Sequence, residues 1–181
     1  GTERRITSPI DAIAAGIGYV GEDRSAGLVP QMSVAANITM ASLGSSTRAG
    51  MLDFKRERDV AQRAIDELGI RVSSPDQPAG ELSGGNQQKT VLARWTTSGA
   101  RLLVLDDPTR GVDVGAKAEM FKLVADLAAD GVAVLFMTSE ITEARALGDR
   151  IVVMADGCFA SEMPTDVPDE QIMTAAGGAY A

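Results

Sequence analysis

Leu82-Ser83-Gly84-Gly85-Asn86-Gln87-Gln88-Lys89 is the stretch on which the reading of this chain turns. A serine, two glycines and an amide-rich run lead into Val91-Leu92-Ala93-Arg94-Trp95, the pattern of a helix start. Ser83 suits the N-cap, and Gly84-Gly85 would let a ligand approach the backbone closely. The first-turn N–H groups of such a helix lack intrahelical partners and sit at the positive end of its dipole. Together with the serine hydroxyl they make a site for a phosphate. Ser-Gly-Gly by itself reads more simply as an ordinary capped helix; the full octapeptide is a far rarer pattern.

Outward from that helix the chain changes character. Upstream, Ile10-Asp11-Ala12-Ile13-Ala14-Ala15-Gly16 predicts a short helix closed by glycine, and Ile17-Gly18-Tyr19-Val20 a brief strand. A charged loop follows, Gly21-Glu22-Asp23-Arg24-Ser25-Ala26-Gly27. Ser33 then caps a helix to about Leu43, with the loop Gly44-Ser45-Ser46-Thr47 after it. Asp53 caps another, in which Val60, Ala64, Ile65 and Leu68 recur at helical spacing until Gly69. Downstream, Leu102-Leu103-Val104-Leu105 is an apolar strand, 115 to 129 a helix, and 132 to 137 a second strand. A short helix over 140–147 and the strand Ile151-Val152-Val153-Met154, with a turn at Asp156-Gly157, complete the pattern. Short apolar strands alternating with helices predict parallel strands covered on both faces. Residues 33–98 therefore read as a helical insert, and 1–32 with 99–181 as an α/β core, within one domain over 1–181.

Composition narrows the function. The chain has 181 residues and a net charge of −8, with no basic stripe to offset it, which argues against nucleic-acid binding. It has no histidine, which excludes His-based catalysis and His-ligated metal. The single cysteine, Cys158, excludes an internal disulfide framework and is expected as a small core residue in a reducing compartment. The longest apolar run, 132 to 137, is too short to span a bilayer, and no signal-peptide h-region is visible. Any link to a membrane is expected to go through a partner.

In a parallel α/β sheet, chemistry sits at the carboxyl ends of the strands. Here Leu105 is followed by Asp106-Asp107-Pro108-Thr109, Met137 by Thr138-Ser139-Glu140, and Val20 by Gly21-Glu22-Asp23. An apolar strand ending in acids suits Mg²⁺ beside a nucleotide phosphate, although a capping acid at a strand–helix turn has the same look.

The octapeptide resembles the signature motif of ATP-binding cassette (ABC) ATPases, in the Asn-Gln-Gln form of sugar importers. Leu102 to Asp107, about a dozen residues beyond the signature octapeptide, resembles the family's Walker B strand. The run Pro108-Thr109-Arg110-Gly111-Val112-Asp113-Val114-Gly115-Ala116-Lys117 is similar to its D-loop. Glu22-Asp23-Arg24, with Gly27-Leu28-Val29 and Ser33-Val34, resembles the Q-loop region. The resemblance is narrowest to the C-terminal half of the tandem ribose/galactose/xylose importer subunit. It implies a partial P-loop NTPase (RecA-like) parallel sheet with the ABC helical subdomain inserted.

By that resemblance Asp106 is the Mg²⁺-associated aspartate. Ser83, Gly84, Gly85, Asn86, Gln87, Glu22 and Asp113 border nucleotide, and Asp107 and Ser139 stand at the catalytic positions. ATP and Mg²⁺ are the implied ligands. The implied partners are a second cassette, membrane permease subunits and, indirectly, a sugar-binding protein, with the chain peripheral on the cytoplasmic face of the bacterial inner membrane. Four departures stand against the family pattern. No Gly-x-x-x-x-Gly-Lys-Ser/Thr occurs in the 181 residues, so the chain is expected to be a truncated cassette with apolar edges left exposed. Asp107 replaces the catalytic glutamate with a shorter acid, Ser139 replaces the switch histidine, and Glu22 replaces a neutral glutamine beside a triphosphate. All four leave the signature half intact and its own ATP site degraded. Val29, Pro30 and Met32 are expected to supply an apolar contact for the permease, or else are scattered residues of a plain surface loop. A signalling receiver domain fails for want of a lysine at the later strand end. A non-transport ABC ATPase and a non-catalytic interaction module remain as alternatives.

Overall fold

Two strands far apart in sequence pair in the sheet, with β4 at its centre. β1 (Ile17–Val20) runs parallel to β4 (Leu102–Asp106), with Ile17 opposite Leu102 and Val20 opposite Leu105. β5 (Ala133–Met137) flanks β4 on the other side, giving the order β1-β4-β5. In this computed structural model residues 3–23, 27–48 and 50–177 are described; Arg24, Ser25 and Ala26 of the expected charged loop lie outside them. The residues divide into two compact units, Gly1–Leu135 and Phe136–Ala181.

In the first unit, α1 (Pro9–Ala14) is capped by Ser8, whose hydroxyl accepts from the Asp11 amide. The helical insert follows β1. Ser33 caps α2 (Val34–Thr39), which passes into a 3-10 segment, Met40–Ser46. Where a plain loop was expected, β2 (Thr47–Arg48) and β3 (Met51–Leu52) form a small antiparallel hairpin turned at Gly50, whose φ is 82°. Asp53 caps α3 (Phe54–Glu67) through the Arg56 amide. Gly69, at φ 58°, closes it, with the Ile70 amide bonding back to the Ile65 carbonyl. The central helix α4 (Gly84–Thr97) packs on α2 and α3, and Val91, Leu92 and Ala93 of α4, Val34 and Ile38 of α2, and Ala61 and Ile65 of α3 are all buried.

Gly18 shows how α4 reaches the sheet: a Cβ there would lie 2.7 Å from the Trp95 Cβ, so only glycine lets this helix lie on β1. The face of Leu103 and Leu105 is thereby buried. Coverage of both faces, as the pattern predicted, is not met throughout, because Tyr19 and Leu135 remain 51% and 50% exposed. α5 (Val114–Ala129) follows β4, capped by Asp113.

The second unit holds α6 (Ile141–Leu147), β6 (Ile151–Ala155), β7 (Cys158–Met163) and α7 (Asp169–Ala175). The strand Ile151–Ala155 was expected in the parallel sheet. It pairs instead with β7 in a two-stranded antiparallel sheet, turned by Asp156 and Gly157, both at positive φ. Ile151, Val153 and Ile172 form its small core. Cys158 opens β7 on an exposed position, which corrects its expected place in the core: it directly follows the Asp156-Gly157 turn, at the end of a two-stranded hairpin whose core is Ile151, Val153 and Ile172.

Candidate functional site

Two helix N-termini open on one cavity of about 320 Å³. Ser83, Gly84, Gly85 and Asn86 come from the start of α4, and Asp113, Gly115 and Ala116 from the start of α5. Arg71, Lys89 and Glu119 complete its polar wall. The signature turn is accessible: Ser83 is exposed, and the three residues after it are half-buried. Ser83 occupies the N-cap as expected, with φ −62° and ψ 154°, but its hydroxyl makes no capping bond. That oxygen accepts instead from the Asn86 side-chain amide, at 2.9 Å. The first intrahelical bond runs from the Gln87 N–H to the Ser83 carbonyl, so the amides of Gly84, Gly85 and Asn86 precede the helical ladder and suit an anion.

Gly85 serves a further purpose. A Cβ at this position would lie 3.1 Å from the Ala116 Cβ, so it is also where α4 and α5 cross. Asp113 is fixed by accepting from the Ala116 amide at 2.9 Å. Gln87 does not line the cavity; its amide lies 3.4 Å from the Gly80 carbonyl, which it faces as donor.

Two residues of this wall, Arg71 and Glu119, carried no sequence signal, and Lys89 was legible only as the end of the octapeptide. Lys89 Nζ donates to Glu119 Oε2 at 2.8 Å and to the Gly69 carbonyl at 3.2 Å. Arg71 Nη2 donates to Glu119 Oε1 at 3.0 Å. The bond from Lys89, and the charges of Lys89 and Arg71, hold the Glu119 carboxyl below the usual carboxylate range.

The carboxyl ends of β1 and β4 form a different edge. Parallel pairing puts Tyr19 opposite Val104, hence on the face that Asp106 shares, and the Tyr19 hydroxyl donates to Asp106 Oδ2 at 2.8 Å. This bond raises the Tyr19 phenol above its ordinary value, with desolvation and the Asp106 charge adding to it. Asp107, next in line, sits at φ 43°, a left-handed conformation that aspartate tolerates better than most residues. Glu22 does not stand as an uncompensated charge: Arg110 forms an ion pair with it. Ser139 is exposed in the second unit, beside Thr138, whose hydroxyl donates to Glu143 at 2.6 Å. Among the described residues no cluster of three or more acid, cysteine or histidine side chains could hold a metal ion. A lone carboxylate such as that of Asp106 suits Mg²⁺ only where water and phosphate oxygens supply the rest of its shell.

The loop after the first edge is tied down from α4. Buried Arg94 donates from Nη1 to the Gly27 carbonyl at 2.7 Å and from Nε to the Asn37 carbonyl at 2.8 Å, and burial lowers its pKa. Asn37 in turn both accepts from and donates to the Val29 backbone, each at 2.9 Å. Val29 and Met32 stay partly exposed on this anchored loop. No described helix is long and apolar enough to cross a membrane.

The fold is that of an ATP-binding cassette. The chain aligns with the dimeric post-hydrolysis structure of the ATP-binding cassette MJ0796 bound to ADP and Pi at a TM-score of 0.71 and 23% identity, covering 90% of this chain and 69% of that one. A second dimeric structure of MJ0796 gives 0.68 at 25% identity, over 84% and 64%. The family model for ABC transporters matches residues 2–110, and the chain belongs to that family, which implies nucleotide binding. Among curated relatives it is 48% identical, over 98% of its length, to an Agrobacterium fabrum protein provisionally named ribose/galactose/methyl galactoside import ATP-binding protein 1. It is 45% identical, over 96%, to the ribose import ATP-binding protein RbsA of Yersinia pestis. It spans 36% and 34% of those two proteins, about a third of their length.

Proposed function

We propose that this chain is the signature-bearing portion of the ATP-binding subunit of a sugar importer. Its Ser83 turn completes a nucleotide site whose phosphate loop belongs to a facing cassette. The observation that carries this reading is the accessible Ser83–Asn86 turn, sharing one cavity with Asp113 at the meeting of two helix N-termini. Ser83, Gly84, Gly85 and Asn86 offer the γ-phosphate a hydroxyl and unpaired amides. Asp113 borders the same nucleotide, and Gln87 supports the turn from behind.

Asp106 would contribute to Mg²⁺ in a second, weak site bordered by Asp107 and Glu22. When bound there, Mg²⁺ neutralises phosphate charge. Residues 33–98 act as the inserted helical subdomain, and the remainder as the core. Val29, Pro30 and Met32 meet the permease, which holds the chain at the cytoplasmic face of the inner membrane; a sugar-binding protein is an indirect partner. The names of the import relatives support the substrate class.

The test is ATP turnover of the full-length protein assembled with its permease. Ser83→Arg, which fills the turn with a bulky cation, is expected to abolish transport-coupled turnover. Asp107→Asn is expected to cost a small fraction of that loss. Equal losses from both would overturn the asymmetric assignment.

A further inference from the structure

Glu119 uses both carboxylate oxygens within the wall of the signature cavity, and each leads toward Ser83 by its own route. Through Oε2 it holds Lys89, whose side chain is only 9% exposed and whose other acceptor is the Gly69 carbonyl. A buried ammonium with two acceptors leaves little freedom to the helix that carries it. Lys89 thus fixes α4 against α5 a turn and a half beyond the signature turn, on the same side as the close crossing of Gly85 and Ala116.

Through Oε1 Glu119 meets the Arg71 side chain, which is 80% exposed, and the Arg71 backbone N–H donates to Asn86 Oδ1 at 2.9 Å. That donor dictates which way the Asn86 amide points, since only its oxygen can accept. The Asn86 nitrogen is thereby turned to Ser83 Oγ, 2.9 Å away. A hydroxyl that already accepts a hydrogen bond keeps its own hydrogen for an outside acceptor. The chain of bonds from Glu119 through Arg71 and Asn86 therefore leaves Ser83 as a donor facing the cavity.

We propose that Glu119 is a positioning residue for nucleotide turnover, gripping Lys89 and Arg71 so that the signature turn keeps its angle to the Asp113 helix and Ser83 presents its hydrogen to phosphate. This rests on the reading that the turn meets a nucleotide. An orienting role acts on the reaction more than on nucleotide loading, because the facing cassette holds the nucleotide by its own groups.

The experiment compares Ser83→Ala, Glu119→Gln, the double variant, Asn86→Ala and Lys89→Arg in the full-length protein with its permease, reading maximal turnover and half-saturating ATP separately. Glu119→Gln is expected to slow turnover on the order of tenfold, with a much smaller change in half-saturating ATP. Asn86→Ala, which cuts the last link and removes no charge, is expected to do the same. Lys89→Arg keeps the charge but not the shape at this buried position, and is expected to slow turnover less than Glu119→Gln does. The double variant is expected to be no slower than Ser83→Ala, since both changes act through one hydroxyl. Native turnover in Glu119→Gln or Asn86→Ala, alongside a slowed Ser83→Ala, overturns the positioning role and leaves the pocket reading standing. Multiplied losses in the double variant, or a loss confined to half-saturating ATP, also overturn it, as a general loosening would give. Native turnover in Ser83→Ala sinks the pocket reading, and this inference with it.

Discussion

The signature cavity and the strand-end edge, two polar regions of the same unit, are built to different standards. At the cavity, Lys89 is buried, and its bond to Glu119 joins a set that runs on through an exposed Arg71 and a half-buried Asn86 to Ser83, so the hold there rests on Lys89. At the edge, Asp106 is held by a half-exposed tyrosine, Glu22 by an arginine 65% exposed, and Asp107 sits in a left-handed conformation. An exposed ion pair contributes roughly 0–1 kcal/mol and orients weakly, whereas a buried cation releases its partner only at high cost. The departures from the family pattern, Asp107 and Glu22, fall on the weakly held edge. The intact octapeptide falls on the braced cavity. Geometry and motif thus divide the unit in the same way.

The largest way to break this contrast is at the helix crossing. Gly85→Leu would drive a side chain into Ala116, already at 3.1 Å from where a Cβ would lie, and is expected to destabilise the fold by about 1–3 kcal/mol. Turnover is expected to fall with it. Adding Ala116→Gly should recover most of the stability, read as a denaturant midpoint. Failure of that rescue would show that the crossing does not limit the approach of the two helices.

Acid offers the next test, on the cavity side. Glu119 titrates lower in the folded chain than unfolded, chiefly through its bond from Lys89. Its stabilising effect is therefore complete above the ordinary glutamate value of about 4.3 and disappears as pH falls through the lower folded value. The stability gap between the native protein and Glu119→Gln is expected to be flat at neutral pH and to close only in strong acid. A gap that closes well above pH ~5 would place the relevant titration elsewhere.

Much of this division could be read from the sequence because its signals are local. Ser33 and Asp53 each accept an amide three residues on, so a capping residue beside a helical pattern locates them without tertiary knowledge; Asp113 caps in the same way but was read only as part of the D-loop run. Ile17–Val20 appears whole as a short apolar run. The order of motifs supplied the family, which periodicity could not. Distant bonds stayed hidden: Glu119 lies 30 residues from Lys89 and 48 from Arg71, and nothing local in either helix ties them. Gly85 was legible as a glycine suited to a ligand, but its role at the Ala116 crossing depends on where α5 lies. The strand Ile151–Ala155 has the same apolar run as a parallel strand, and only its pairing with Cys158–Met163 sets it in an antiparallel hairpin.

A smaller effect belongs to the weakly held edge. Asp107 at φ 43° would accept asparagine with little change, because its short polar side chain tolerates this conformation. Asp107→Val, with a β-branched side chain, is expected to cost about 1–2 kcal/mol, measured by denaturant titration. Similar stability in both variants would mean that the backbone moves freely at this position, and that the shorter acid is not locked in place.

The smallest expected effect is at Tyr19, and it asks whether the edge holds Asp106 at all. The phenol is raised above its ordinary value of about 10, first by its hydrogen bond to Asp106. A raised folded value means the bond stabilises the protein below that pH and is lost as pH climbs through the folded value. Tyr19→Phe is expected to cost on the order of 0.5 kcal/mol near neutrality, at the low end for a hydrogen bond because the group is half exposed. Ultraviolet titration gives the sharper readout: Asp106→Asn should bring the Tyr19 transition back down toward 10, with the Tyr19→Phe spectrum identifying which phenol moved. An unmoved transition would mean that Asp106 does not hold Tyr19 in solution, leaving both of its carboxylate oxygens open to a cation.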